Sequence, residues 1–242
     1  MTAEEDWSAP DGWWIQLEEE LDSTNEELKR LGPEEGHVLV AERQTAGRGR
    51  RGAEWMSEAG EGLTFSVALR PTEPRGLWPR LALATGLAVA EALGRLGFEA
   101  EVKWPNDVLI GRNKVCGILV EATSHGAIIG IGINVNTLVF PAALKATSLK
   151  IESGVDWPRA EVLAVVLQSL KIRVGQIGAD FPTVIEALRE RCALQGRRVS
   201  LHSSAGPMTG LVHAIGDAGE LVIEDASGLH RLLQADEVRV ID

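Results

Sequence analysis

Gly47-Arg48-Gly49-Arg50-Arg51-Gly52 packs three guanidinium groups and three glycines into six residues. Such a segment is poor core material. It is suited to wrapping an anion, because bare backbone N–H groups and Arg forks can both reach one. Three later stretches could meet the same ligand. In Lys103-Trp104-Pro105-Asn106-Asp107, Pro105 fixes φ and biases Trp104 toward an extended conformation, which aims the polar pair that follows. Lys114 opens an apolar run in which Gly117 permits close approach of something bound. In Gly130-Ile131-Gly132-Ile133-Asn134, alternating Gly and Ile leaves one strand face without side chains.

Each signal has a bland alternative. The hexapeptide also spells G-x-G-x-x-G, the dinucleotide fingerprint, which requires a helix to begin within the motif. Residues 53–62 show no helical period and hold two more glycines, so a Rossmann site is disfavoured. A solvated flexible loop stays open as a reading, although Trp55 lies just downstream without a core register, as a lid or stacking residue would. Lys103–Asp107 also reads as a strand end followed by an Asn-Asp turn. Lys114 also reads as a solvated lysine, and the Gly/Ile run as a tight β-crossing.

The elements that must position these residues follow from composition and periodicity. A chain of 242 residues, 45% apolar, suits one substantial domain plus a small one. Net charge −11 disfavours general nucleic-acid affinity, so a phosphate must be met locally. Between Glu42 and Gly52 the balance does reverse, with Arg43, Arg48, Arg50 and Arg51 against one Glu. Cys116 and Cys192 suggest neither a disulfide framework nor a zinc ribbon, and read as reduced, buried thiols of a cytoplasmic protein. The five His lack metal-ligand spacing, so no metal ligand is assigned. The acidic N-terminus is no secretory leader, and Leu81 to Leu96 is interrupted by Thr85, Glu91 and Arg95, so no membrane span is expected.

Strands are expected over Trp13–Glu19, His37–Glu42, Leu63–Leu69, Glu99–Ile110, Lys114–Ala122 and Ala127–Asn134, the fourth and fifth joined as a hairpin across Gly111-Arg112-Asn113. Asp22-Ser23-Thr24-Asn25 offers N-cap oxygens to a helix over Glu26–Leu31, stopped by Gly32-Pro33. Trp78–Gly97, apolar nearly all round, is a helix lying against a sheet; Pro158–Ile177 and Pro182–Cys192 are two later helices. After Gly196, short β-like runs separated by Gly, Ser and Asp turns suggest a small separate barrel.

Taken in order, Ser23-Thr24-Asn25, Gln44 through Gly52, Lys103–Asp107, Lys114–Glu121 and Gly130–Asn134 closely resemble the biotin protein ligases, the biotin–[biotin carboxyl carrier protein] ligase family. The match is strong over roughly residues 20–140 and loose over the C-terminal part. The related lipoate and octanoyl ligases share the fold but lack this Arg/Gly loop. The resemblance implies an α+β fold: a mixed sheet backed by helices, like class II aminoacyl-tRNA synthetases, over residues 1–194, then an SH3-like barrel over residues 195–242. It also implies roles. Ser23, Thr24, Asn25, Gln44, Gly47, Arg48, Gly49, Arg50, Lys114, Gly117 and Gly132 would bind biotin, with Lys114 meeting its carboxylate. Arg50, Arg51, Trp55, Lys103, Asn106, Asp107 and Asn134 would surround ATP. Lys114, Arg48, Arg50 and Asp107 would carry catalysis. Some family members carry an N-terminal DNA-binding domain; only about twenty residues precede Ser23 here, so no DNA binding is expected. The expected assembly is a monomer or homodimer.

The implied chemistry has two steps. Biotin carboxylate attacks the α-phosphorus of MgATP, giving biotinoyl-5′-AMP and pyrophosphate; a lysine of the carrier protein (acetyl-CoA carboxylase type) then attacks the anhydride and releases AMP. The first step drives an anion at a polyanion, and two unit charges about 4 Å apart repel by roughly 4 kcal/mol at an effective dielectric near 20. Lys114, Arg48, Arg50 and Mg²⁺ are the available counter-charges. The second needs a neutral amine, which costs a lysine roughly 4–5 kcal/mol at pH 7; Asp107 is the candidate to orient or deprotonate it. Two other readings stand beside this one: a lipoate-type ligase, and an RNA-binding module. The latter is disfavoured by the net charge and by zero Tyr and four Phe in the chain.

Overall fold

A mixed seven-stranded sheet carries the residues that the sequence singles out. The computed structural model describes residues 5–56, 58–203, 206–236 and 238–242. The sheet is built from β1 (Trp14–Leu21), β2 (His37–Gln44), β3 (Gly62–Leu69), β4 (Ala100–Lys103), β5 (Asp107–Ile110), β6 (Asn113–Ala122) and β7 (Ala127–Asn134), in the order β1-β2-β3-β7-β6-β5-β4. Only β1 and β2 run parallel; the other neighbours are antiparallel.

The two faces of this sheet differ because the strands alternate. Leu63, Phe65, Val67 and Leu69 of β3 and Ile129, Ile131 and Ile133 of β7 point to the main core. They meet α2 (Arg80–Arg95), which in turn packs on α4 (Arg159–Val174). The near-uniform apolarity of α2 is explained by that sandwich. On the opposite face β3 presents Thr64, Ser66 and Ala68, paired across to Gly132, Gly130 and Ile128 of β7. Helix α1 (Thr24–Leu31) covers one end of this face by setting Leu28 on Leu39, Ala68 and Ile128. The rest is left uncovered by helices, and a cleft lies there.

Most expected elements are present, with boundaries moved by one to four residues. One expectation is corrected: Glu99–Ile110 is two strands, because the chain reverses at Trp104-Pro105-Asn106 and pairs Lys103 with Asp107. Trp104 is therefore a buried anchor whose Nε1 donates to Gly219 O at 3.0 Å. A short helix, α3 (Leu149–Ser153), was not expected; Ser148 caps it by accepting from Ile151 N at 3.1 Å.

The later helix α5 (Phe181–Glu190) leads to a second sheet, entirely antiparallel, made of β8 (Arg198–Ser203), β9 (Gly206–Ile215), β10 (Leu221–Asp225), β11 (Gly228–Leu232) and β12 (Arg239–Val240). Its order is β11-β10-β9-β8-β12, so β11 and β12 are its edges. Val199, Leu201, Val212, Ile215, Leu221 and Ile223 from this sheet join the same apolar cluster as the large one. No helix among the described residues is long and apolar enough to cross a membrane.

Candidate active site

The inner end of the cleft is made by the start of α1 against β2 and β3. Ser23 occupies the N-cap position with extended backbone, yet its hydroxyl makes no capping bond. Thr24 N–H donates to Gln44 Oε1 at 2.8 Å, and Thr24 Oγ1 lies 3.1 Å from the same oxygen. Ser66 donates to Asn25 Oδ1 at 2.5 Å and lies 2.6 Å from Thr24 Oγ1. Because Asn25 Oδ1 can only accept, the single Ser66 proton belongs there, and Thr24 must direct its own proton at Ser66 or Gln44. Asn25 Nδ2 donates to Glu121 Oε2 at 2.7 Å. Ser23, Thr24, Asn25 and Ser66 are all buried. A hydrogen-bonded set in so little water is held in one arrangement.

The floor is the bare strand face. A Cβ on Gly130 would come within 2.5 Å of Asn25 Oδ1, so this glycine admits the Asn25 side chain. A Cβ on Gly132 would overlap the Trp55 indole, and one on Gly117 would sit 2.9 Å from it and 3.0 Å from Lys114 Nζ. In the Gly/Ile run the face without side chains is thus filled by Asn25 at Gly130 and by Trp55 at Gly132.

The outer end carries the charges. Lys114 Nζ lies 2.7 Å from Asp107 Oδ1 and 5.6 Å from the centre of the Trp55 ring. Its backbone is clamped: Lys114 N–H donates to Lys145 O at 2.8 Å, and Asn134 Nδ2 donates to Thr147 O at 3.0 Å and Lys114 O at 3.3 Å. Arg50 Nη1 donates to Asn106 Oδ1 at 3.1 Å, and Asn106 Nδ2 donates to Ile118 O at 2.9 Å. Burial, together with like charge from Arg51, pushes the Arg50 guanidinium below its ordinary value, though Arg stays cationic. Arg48 pairs with Glu26 and Arg51 with Asp236. Burial pushes both cysteine thiols up, which makes Cys116, two residues from Lys114, a packing group and no nucleophile.

The Arg/Gly segment is an ordered flap. Gly49 N–H donates to Ala53 O at 2.6 Å and Trp55 N–H to Gly47 O at 2.9 Å, while Arg50–Gly52 forms one 3₁₀ turn. No helix begins there, which removes the Rossmann reading. Gly47 is needed because a Cβ there would run into the Trp55 backbone carbonyl, 2.3 Å away, as well as Gln44 Nε2.

Every residue proposed from the sequence for biotin or ATP lines this one cleft except Gly47, which lies beside it against Gln44 and Trp55. Residues the sequence reading missed are Ser66, Glu121, Glu26, Asp236 and the cleft-lining segment Thr137–Ala146. Ser66 had a readable signal: a polar residue two positions after Thr64, inside an apolar strand.

A sequence model of the biotin/lipoate A/B protein ligase family matches residues 17–136. The biotin–[acetyl-CoA-carboxylase] ligase of Mycobacterium tuberculosis is 34% identical, over 93% of this chain and 89% of its own length. The chain belongs to the biotin protein ligase family. The family also includes the bifunctional ligase/repressor BirA of Bacillus subtilis, 36% identical over 88% of this chain and 69% of that protein. Among solved structures, biotin protein ligase from Aquifex aeolicus in complex with biotin and ATP superposes with a TM-score of 0.87 at 35% identity, covering 94% of this chain and 99% of that one. The seven-stranded α+β architecture is thus that of the biotin ligases.

Proposed function

We infer that the protein is an ATP-dependent, AMP-forming biotin ligase. It activates biotin to biotinoyl-5′-AMP with release of pyrophosphate, and transfers biotin to a lysine of a biotin carboxyl carrier protein of the acetyl-CoA carboxylase type. The observation that carries this reading is the division of one cleft into a neutral end, lined by the buried Ser23, Thr24 and Asn25 with half-buried Gln44, and an end that carries the cations Lys114 and Arg50. Biotin has that polarity, with an uncharged ring system at one end and a carboxylate at the other.

In this reading Ser23, Thr24, Asn25 and Gln44 face the ring system, and Gly117 and Gly132 let it lie against the strand backbone once the Trp55 indole moves off them. Lys114 leaves Asp107 for the biotin carboxylate and offsets its repulsion with the phosphates; each well-placed donor contributes on the order of 3 kcal/mol to such a transition state. Arg50, Asn106, Lys103 and Asn134 border the nucleotide, which enters as MgATP. Asp107, released by Lys114, orients or deprotonates the incoming lysine. Arg48, Gly49, Arg50 and Trp55 belong to a flap that keeps water from the anhydride. Residues 1–194 form the ligase unit. Residues 195–242 form a small SH3-like unit, a reading supported by the separate antiparallel sheet β8–β12.

The test is ATP–pyrophosphate exchange with and without biotin, on the wild type and on Lys114→Ala. Exchange should require biotin and should collapse in the variant. A lipoate-type ligase, the nearest alternative given the breadth of the family model, would show exchange driven by lipoate and undiminished by its competition with biotin.

A further inference from the structure

Arg51 is the one residue other than glycine, among those described, whose backbone is left-handed, with φ 55° and ψ 32°. That region is unfavourable for a residue with a Cβ, and a neighbouring contact can offset the cost. The contact is Asp236, in the connection between β11 and β12 of the second sheet, which pairs with the Arg51 guanidinium. The adjoining residue grips the same connection: Arg50 Nη2 donates to Ala235 O at 3.1 Å. That connection is itself anchored, since Ala235 and Val238 are buried in the main core and Asp236 N–H donates to His202 O at 2.9 Å. The left-handed turn thus sends two consecutive arginines apart. Arg50 goes to Asn106 inside the cleft, and Arg51 goes out to Asp236.

Resting on the adenylate reading above, we propose that Asp236 is a positioning residue that latches the flap. By holding Arg51 in its left-handed conformation it keeps Arg50 on Asn106 and keeps the flap closed over the activated intermediate. It touches no reacting atom. The small sheet would then serve the reaction as a fixed post for the flap between β2 and β3.

Two measurements on the full-length protein test the latch. The first uses no ligand: amide hydrogen exchange at Gly49, Ala53 and Trp55, whose N–H groups fasten the flap. Asp236→Ala and Arg51→Ala should each speed exchange at these positions by roughly threefold to fivefold, the range open to a half-exposed ion pair. The double variant should go no faster than either, and Asp236→Glu should restore protection. The second is the rate at which biotinoyl-5′-AMP leaves enzyme loaded with biotin and MgATP, which should rise by a similar factor in Asp236→Ala while KM for biotin and the melting temperature stay put. Flap exchange in Asp236→Ala equal to wild type, or additive effects in the double variant, overturns the latch. A wild-type protein that makes no adenylate overturns the functional reading and leaves the ligand-free exchange result to judge the latch alone. Should Asp236→Ala misfold, Asp236→Asn is read the same way.

Discussion

The two ends of the cleft are held by opposite kinds of force. At the inner end Ser23, Thr24, Asn25 and Ser66 are buried and uncharged, and the last three are joined by hydrogen bonds that water cannot contest. At the outer end Arg48 and Arg51 keep 45% and 64% of their side-chain surface exposed and are held by ion pairs to Glu26 and Asp236. Neutral bonds in a dry environment give a single geometry that costs energy to leave. Exposed ion pairs are weak and easily exchanged for others. A ring system that must be recognised suits the first, and an anhydride that must be admitted, sealed in and released suits the second.

Lys114→Ala should break the outer end most severely. Removing the ammonium at the reacting carboxylate should lower biotin-dependent pyrophosphate exchange by about 10²–10³-fold. A loss under about tenfold would mean that Lys114 is not the principal counter-charge.

Ser66→Ala probes the inner end. It takes the donor from Asn25 Oδ1 and leaves that buried acceptor unmatched, so the protein should lose about 1–3 kcal/mol in urea unfolding and show a raised KM for biotin. An unchanged unfolding midpoint would show that the inner end is not the preorganised one.

Arg48→Ala and Arg50→Ala should do the reverse, sparing stability and leaking adenylate about tenfold faster, with a salt dependence the Ser66 variant lacks. Adenylate dissociation at the wild-type rate in both would remove the flap from the mechanism. Asp107→Asn should spare adenylate formation and slow transfer from preformed adenylate to the carrier; equal transfer rates would strip Asp107 of its role.

The smallest effect concerns Glu121, the carboxylate that accepts from Asn25 at the inner end. Burial would raise the Glu121 pKa, but hydrogen bonds from Lys29 and Asn25 outweigh it and the net shift is downward from its ordinary value. A lowered folded-state pKa means stability that is present above the unfolded value, about 4.3, and lost as pH falls through the folded one. Thermal melts of Glu121→Gln should therefore depend less on pH than wild type below about pH 4.5.

Much of the fold was legible because its elements are locally consistent. The continuous apolar run of β2, the alternating runs of β3 and β7 and the apolar helix α2 appear where composition and periodicity place them. The expected single strand over Glu99–Ile110 failed because nothing local says that Trp104 will leave the strand for a pocket beside Gly219. The site was legible where its residue types are odd for their surroundings, as with three arginines among glycines, or glycine in an isoleucine strand. Glu26 and Glu121 were missed because each is ordinary in its own segment, and Ser66 because its polarity inside an apolar strand does not say what it meets; each acquires its role from a residue at least twenty positions away.

By itself the chain determined which chemistry was available: cations on glycine hinges, a lysine at the head of an apolar strand, and a strand face without side chains. Local residue type sets charge, backbone freedom and periodicity, and these need no partner. Tertiary structure alone decided how those groups are shared out. It paired Lys114 with Asp107, laid Trp55 over Gly132 and turned Arg51 away toward the second sheet. Such choices depend on distances between segments far apart in the chain, which exist only once both sheets have packed on a common core.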